Sequence, residues 1–184
     1  IEEAFELLGK GDYIMGGVSE NDHGHRLYFP VEKKFNMPVA GPDRRFMAMI
    51  AYLGGRFNVC GQKWYGSNIE NTKKGLPRSI LLVTLNDPDT AEPLAFMSAN
   101  LLSAMRTGAV PAVAAKYLAS RDSETLGVIG AGVINRSTVR SMAAVLPNAK
   151  EVKVYDLFID KAKAFCEGLE KELGLKFLPV ASIE

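Results

Sequence analysis

Thr125-Leu126-Gly127-Val128-Ile129-Gly130-Ala131-Gly132-Val133-Ile134-Asn135 is where the chain changes its period. A short apolar run reaches a glycine turn. The segment beyond it carries Val139, Met142, Ala143 and Leu146 at helical spacing. Residues 151–156 read as a second strand, residues 159–173 as a second helix and residues 176–180 as a third strand. Strand, helix, strand, helix, strand is the order of βαβ units, and such units build a parallel sheet.

The turn itself is G-x-G-x-x-N: Gly130-Ala131-Gly132-Val133-Ile134-Asn135. The first glycine permits a tight turn, and the second lets the backbone approach a pyrophosphate. The helix start then offers free N–H groups and a positive dipole end to an anion. The third position governs helix–strand packing, and Asn135 there asks for a slightly wider contact. Asp156 closes the next strand, 26 residues past Gly130. A carboxylate there accepts hydrogen bonds from ribose hydroxyls and repels a 2′-phosphate, so NAD is expected over NADP. The competing reading makes Asp156 a cap of the following helix and the glycines a plain tight turn. The fold class expected is α/β: a Rossmann-type parallel-sheet domain over residues 121–184 and an α+β domain over residues 1–120.

In the first 120 residues, 9–24 read as loop and 26–29, 46–53 and 57–65 as strands. A second loop is expected over 66–77. Residues 79–87 and 94–97 suggest a hairpin closed by Asn86-Asp87-Pro88-Asp89. Residues 101–118 read as a helix broken near Pro111. Ile1, Ala4, Phe5 and Leu8 fall at helical spacing, with Gly9 as a stop. No N-cap precedes them, and residues 181–184 look like the start of another element. The chain is therefore read as truncated at both ends.

Composition excludes several classes of protein. The 184 residues are 47% hydrophobic and 23% charged, close to the globular norm. A net charge of +1 leaves no electrostatic footprint for nucleic acid or an anionic membrane. No apolar run is long enough to span a bilayer, and the acidic first residues are no signal peptide. Cys60 and Cys166 have neither metal spacing nor a disulfide framework, which points to the cytoplasm. Cys60 reads as a buried small hydrophobe. His23 and His25 lack a third ligand, so no metal is expected.

Three cations stand out. Lys63 lies inside an apolar strand, where lysine is rarely buried unpaired. Arg106 sits among small residues in Ser103-Ala104-Met105-Arg106-Thr107-Gly108-Ala109, and a buried arginine there wants a carboxylate. Arg26 is the third. Each fits a structural ion pair or a substrate carboxylate equally well.

Gly61-Gln62-Lys63-Trp64-Tyr65-Gly66-Ser67-Asn68, Gly75-Leu76-Pro77-Arg78, Leu85-Asn86-Asp87 and Ser103 to Val110, followed by the glycine turn, resemble the ornithine cyclodeaminase/mu-crystallin family. The resemblance spans nearly the whole chain. It implies a homodimer with a substrate/dimerisation domain joined to an NAD(P)H-binding domain. It also implies a carboxylate cluster of Arg26, Lys63 and Arg106, with Thr107 at the cofactor phosphate. Gly130, Gly132, Val133, Ile134 and Asp156 match its dinucleotide site, and its catalytic aspartate is expected beyond Glu184. The activity implied is NAD-dependent conversion of L-ornithine to L-proline and ammonia, on an amino-acid or imine substrate. A ketimine reductase, an amino-acid dehydrogenase and a non-catalytic NAD(P)H-binding crystallin-like protein are the alternatives. The strand over 46–53 carries no acid, unlike the ornithine-specific members, and Arg78 stands where they have a small polar residue.

Overall fold

The structure, a computed structural model, describes residues 1–183. It separates into two compact units, one of Glu2–Leu101 and one running from Leu102 onward. The expected division at 120/121 thus differs from the observed one by most of a helix.

Alternating side chains in long strands set the first unit. Helix α1 (Glu2–Lys10) leads into β1 (Tyr13–Met15), β2 (His25–Tyr28), β3 (Arg45–Leu53) and β4 (Val59–Ser67). A short 3-10 helix (Ile69–Lys74), β5 (Ser79–Asn86) and β6 (Pro93–Ser98) follow. The sheet is antiparallel in the order β1-β3-β4-β5-β6, with β2 paired to the start of β3. Arg26 lies opposite Met47, which lies opposite Tyr65; Met49 lies opposite Lys63, which lies opposite Val83. Partners across a ladder project from the same face, as do residues two apart. Arg26, Met47, Met49, Lys63 and Tyr65 therefore share one face. The other face carries Phe46, Ile50, Trp64 and Ile80, with Phe46 stacked on Trp64 at 5.5 Å between centroids.

Several local expectations are corrected. Residues 9–24 contain β1, and the loop over 66–77 contains the end of β4 and the 3-10 helix. That helix forms because Asn68 caps it, accepting from the Glu70 amide, and Gly75 closes it in the left-handed conformation at φ 70°. The strand expected over 26–29 shifts to β2, leaving Phe29 outside it. Helix α1 runs through Gly9, where a Cβ would meet nothing within 4 Å. Its buried residue is Leu7, while Phe5 and Leu8 are exposed.

The second unit holds most of α2 (Asn100–Leu118), then β7 (Thr125–Ile129), α3 (Val133–Val145), β8 (Glu151–Tyr155), α4 (Ile159–Leu173) and β9 (Lys176–Val180). The three strands are parallel in the order β7-β8-β9. Leu126, Val128, Val152, Val154 and Phe177 point into a core closed by Val139, Phe165 and Leu169 from the helices. Helix α2 is not broken at Pro111. Its small residues Ala104, Gly108, Ala112 and Ala115 are buried on both sides of the proline, and this packing outweighs one lost backbone hydrogen bond. At Gly108 the contact with α3 is so close that a Cβ would lie 2.6 Å from the backbone of Ser137 and Thr138. That contact is why α2 groups with the parallel sheet. Among the described residues no helix is long and apolar enough to cross a membrane.

Candidate functional site

The turn between β7 and α3 has the shape an anion cradle requires. Gly130 sits at φ +96°, a conformation L side chains rarely adopt, so a glycine is demanded by the backbone. Gly132 is different. Its φ is −88°, and a Cβ built there meets nothing within 4 Å. Neither strain nor packing among the described residues asks for a glycine at 132; the room above it is open. Gly132 is also the N-cap of α3, and it places no side-chain acceptor over the first-turn amides. Val133 is exposed and Ile134 is at the edge of exposure. Open space, uncapped amides and the positive end of α3 together fit a diphosphate.

Two side chains brace this turn. Asn135, expected to ask for a slightly wider helix–strand contact, turns its side chain back onto the turn. Its amide donates to the carbonyls of Ile129 at 2.9 Å and Gly130 at 2.7 Å, pinning the turn to the first helical turn. The Asp156 carboxylate accepts from the Ala131 amide at 2.8 Å and from the Phe158 amide at 2.9 Å. It thus ties the glycine turn to the end of β8 and shapes the entry to α4 as well. These amides, Ala131 before Phe158, hold its carboxyl below the usual carboxylate range. Each oxygen keeps acceptor capacity for a ribose hydroxyl.

Of the expected substrate cations, Arg26 and Lys63 share the β2–β4 sheet face, while Arg106 belongs to the other unit. Arg26 is exposed and donates to the Tyr28 hydroxyl at 3.1 Å. Lys63 is half-buried, its ammonium 5.8 Å from the centre of the Tyr65 ring. Arg106 is exposed on α2 rather than buried; its neighbours Ala104 and Gly108 take the buried positions. The Thr107 hydroxyl donates to the Ser103 carbonyl one turn back, at 2.7 Å. Cys60 is half-buried rather than buried. No group of three metal-ligating side chains occurs among the described residues.

A polar network on the Lys63 face was not legible beforehand. Asp43, at φ +61°, pairs with Arg45 and with Arg78, the latter at 2.6 Å, and accepts from the buried Ser67 hydroxyl. Tyr65 joins Ser79 at 2.8 Å, and Arg45 lies 5.6 Å from its ring centre. Burial opposes ionisation of this phenol. Hydrogen bonds with Ser67 and Ser79 and the charges of Arg45 and Arg78 outweigh that and set it below its ordinary value. The advance signals were Arg78 and the three charged residues Asp43-Arg44-Arg45 abutting an apolar strand.

The model of the ornithine cyclodeaminase/mu-crystallin family matches residues 1–183. The chain belongs to the ornithine cyclodeaminase/mu-crystallin family. Alanine dehydrogenase of Archaeoglobus fulgidus is 41% identical over 165 residues, which are 90% of this chain and 44% of the relative. N-((2S)-2-amino-2-carboxyethyl)-L-glutamate dehydrogenase of Staphylococcus aureus is 36% identical over 129 residues, 70% of this chain and 38% of its own. The structure of Thermococcus litoralis Δ1-pyrroline-2-carboxylate reductase, in complex with NADH and L-proline, matches with a TM-score of 0.82 at 36% identity. That match covers 99% of this chain and 51% of the other. The chain therefore spans about half, or less, of the length of these family members.

Proposed function

We propose that this family member contributes the dinucleotide cradle and part of the carboxylate site of an NAD(H)-dependent oxidoreductase acting at the α-carbon of an amino or imino acid. The observation that carries the reading is the open, uncapped turn at Gly132, where neither strain nor packing among the described residues requires the glycine that stands there. The diphosphate would lie against the amides from Gly132 onward, and Asp156 would take the ribose hydroxyls. That carboxylate favours NAD over NADP. When bound, the nicotinamide supplies hydride transfer to or from the substrate α-carbon.

The chain's own side chains orient the substrate. Lys63, steadied by the Tyr65 ring, and Arg26 on the same face would hold the carboxylate. Arg106 and Thr107 keep the roles that the family resemblance gives them: substrate carboxylate for Arg106, cofactor phosphate for Thr107. A reductase or dehydrogenase is favoured over ornithine cyclodeamination. The β3 side chains on the Lys63 face are Arg45, Met47, Met49, Ala51 and Leu53, and none is an acid to receive a distal ammonium. A homodimer is part of the proposal. The sheet face opposite Lys63 leaves Ile50, Trp64, Ile80 and Phe96 exposed, an apolar surface suited to a second copy.

Full-length protein, incubated with NAD⁺ and a panel of L-amino acids, is followed for NADH absorbance and ammonia together. Stoichiometric NADH marks a dehydrogenase; ammonia without net NADH marks cyclodeamination. Gly132→Ala should abolish the thermal stabilisation by NADH while leaving the melting temperature without NADH little changed. A parent protein that NADH does not stabilise would remove the reading.

A further inference from the structure

A hollow of about 260 Å³ opens between β2 and the loop leading into β3. Arg26, Arg44 and Arg45 line it, and the one acid in its wall is Asp43. That acid is already engaged, by Arg45, Arg78 and the Ser67 hydroxyl. It fixes Arg45 in the wall and leaves no carboxylate oxygen without a cationic or hydroxyl partner. Arg26 donates to the neutral Tyr28 hydroxyl, and Arg44 donates to the Val39 carbonyl at 2.8 Å. Neither guanidinium has an ion-pair partner among the described residues. Charge in the hollow is thus positive and only partly neutralised, beside the face that carries Lys63. A cationic substrate side chain would be repelled there. An anionic one would meet guanidinium groups, whose planar fork suits a carboxylate.

Resting on the oxidoreductase reading above, we propose that this hollow recognises a second acid group of the substrate. Arg44 is its specificity-determining residue, and Arg26 stands at the border with the α-carboxylate site. The preferred substrates are then amino or imino acids whose side chain ends in a carboxylate.

Matched acids and amides separate this from the bare oxidoreductase reading. Full-length protein saturated with NADH is titrated calorimetrically with L-glutamate against L-glutamine and L-aspartate against L-asparagine. kcat/KM is measured for the same pairs with NAD⁺. At least one acid should bind about 10- to 100-fold more tightly than its amide, the range of one charge-assisted hydrogen-bonded contact. Arg44→Gln should erase that preference while amide affinity and NADH affinity stay within about twofold. Arg44→Lys should return part of it. The preference in the parent should also weaken as salt is raised, a readout independent of whether the Gln variant packs normally. Equal binding of acid and amide, or a preference that survives Arg44→Gln, overturns the proposal and leaves the oxidoreductase reading standing. NADH binding with no response to either pair overturns it too. Absence of NADH binding removes the underlying reading as well.

Discussion

Two glycines in mid-helix, Gly108 of α2 and Gly168 of α4, make a controlled comparison. Built as alanine, each would place its Cβ 2.6 Å from a neighbour. At Gly168 that neighbour is the Nη1 of Arg136, the end of a flexible chain. At Gly108 it is the backbone of Ser137 and Thr138 in α3. Alanine gains roughly 0.5–1 kcal/mol over glycine in a helix interior through backbone entropy. At Gly168 the guanidinium swings aside and most of that gain remains. At Gly108 ordinary contact requires α2 and α3 to part by roughly 1 Å, and overpacking of this kind costs roughly 1–3 kcal/mol. Gly108→Ala should therefore be destabilising by up to about 2 kcal/mol, and Gly108→Val by more. With roughly 2–4 °C per kcal/mol for a chain of this size, Gly108→Ala melts several degrees low and Gly168→Ala melts slightly high. Urea unfolding with unchanged m-values checks that the change is in stability. A Gly108→Ala protein melting at or above the parent would refute the close α2–α3 packing and the reason given for the continuity of α2 through Pro111.

Asn135→Ala removes the bonds to the carbonyls of Ile129 and Gly130; it should lower stability by about 1 kcal/mol and weaken NADH binding severalfold, read by urea melts and NADH fluorescence. Asp156 has a depressed folded pKa, so its contribution is present above the unfolded value of about 3.9 and is lost as pH falls through the lower folded value. Asp156→Asn should flatten that acid limb of the stability–pH profile and reduce NADH affinity; a variant with the parent's acid limb would assign the pH dependence elsewhere.

How much of this was legible depended on the range of the interactions concerned. The parallel-sheet segment reads well because its signals are local. The expected helix over residues 159–173 and strand over 176–180 coincide with α4 and β9, since apolar period and the glycine cap at Gly174 coincide in sequence. The β5–β6 hairpin reads well for the same reason: Asp87 accepts from the Thr90 and Asp89 amides within its own turn. Pro111 misleads because the contact that supports α2 through the proline comes from α3, some 30 residues on. Arg106 misleads in the other direction. Small neighbours suggested burial of the arginine, but on a helix they occupy a different face from it. Asp43 could not be assigned at all, because Arg45, Ser67 and Arg78 reach it only once three strands are in register.

The same contrast separates the glycine turn of one unit from the sheet face of the other. At the glycine turn, each brace is either within six residues or at the end of the next parallel strand, so one motif carries the geometry: Gly130 for the conformation, Gly132 for the space, Asn135 and Asp156 for rigidity. On the sheet, the charged and polar side chains are dispersed over β2, β3, β4 and β5, and a change in any one strand would alter the field without moving the fold. On the proposed reading, the β3 side chains on the Lys63 face, Met47 and Met49 among them, include no acid, while Arg44 and Arg45 line the hollow beside it, and together these would set which side-chain charge is welcome. If the proposed reading holds, hydride chemistry would stay constant while substrate preference shifted between cation and anion, because the cradle and the electrostatics of the hollow rest on different residues.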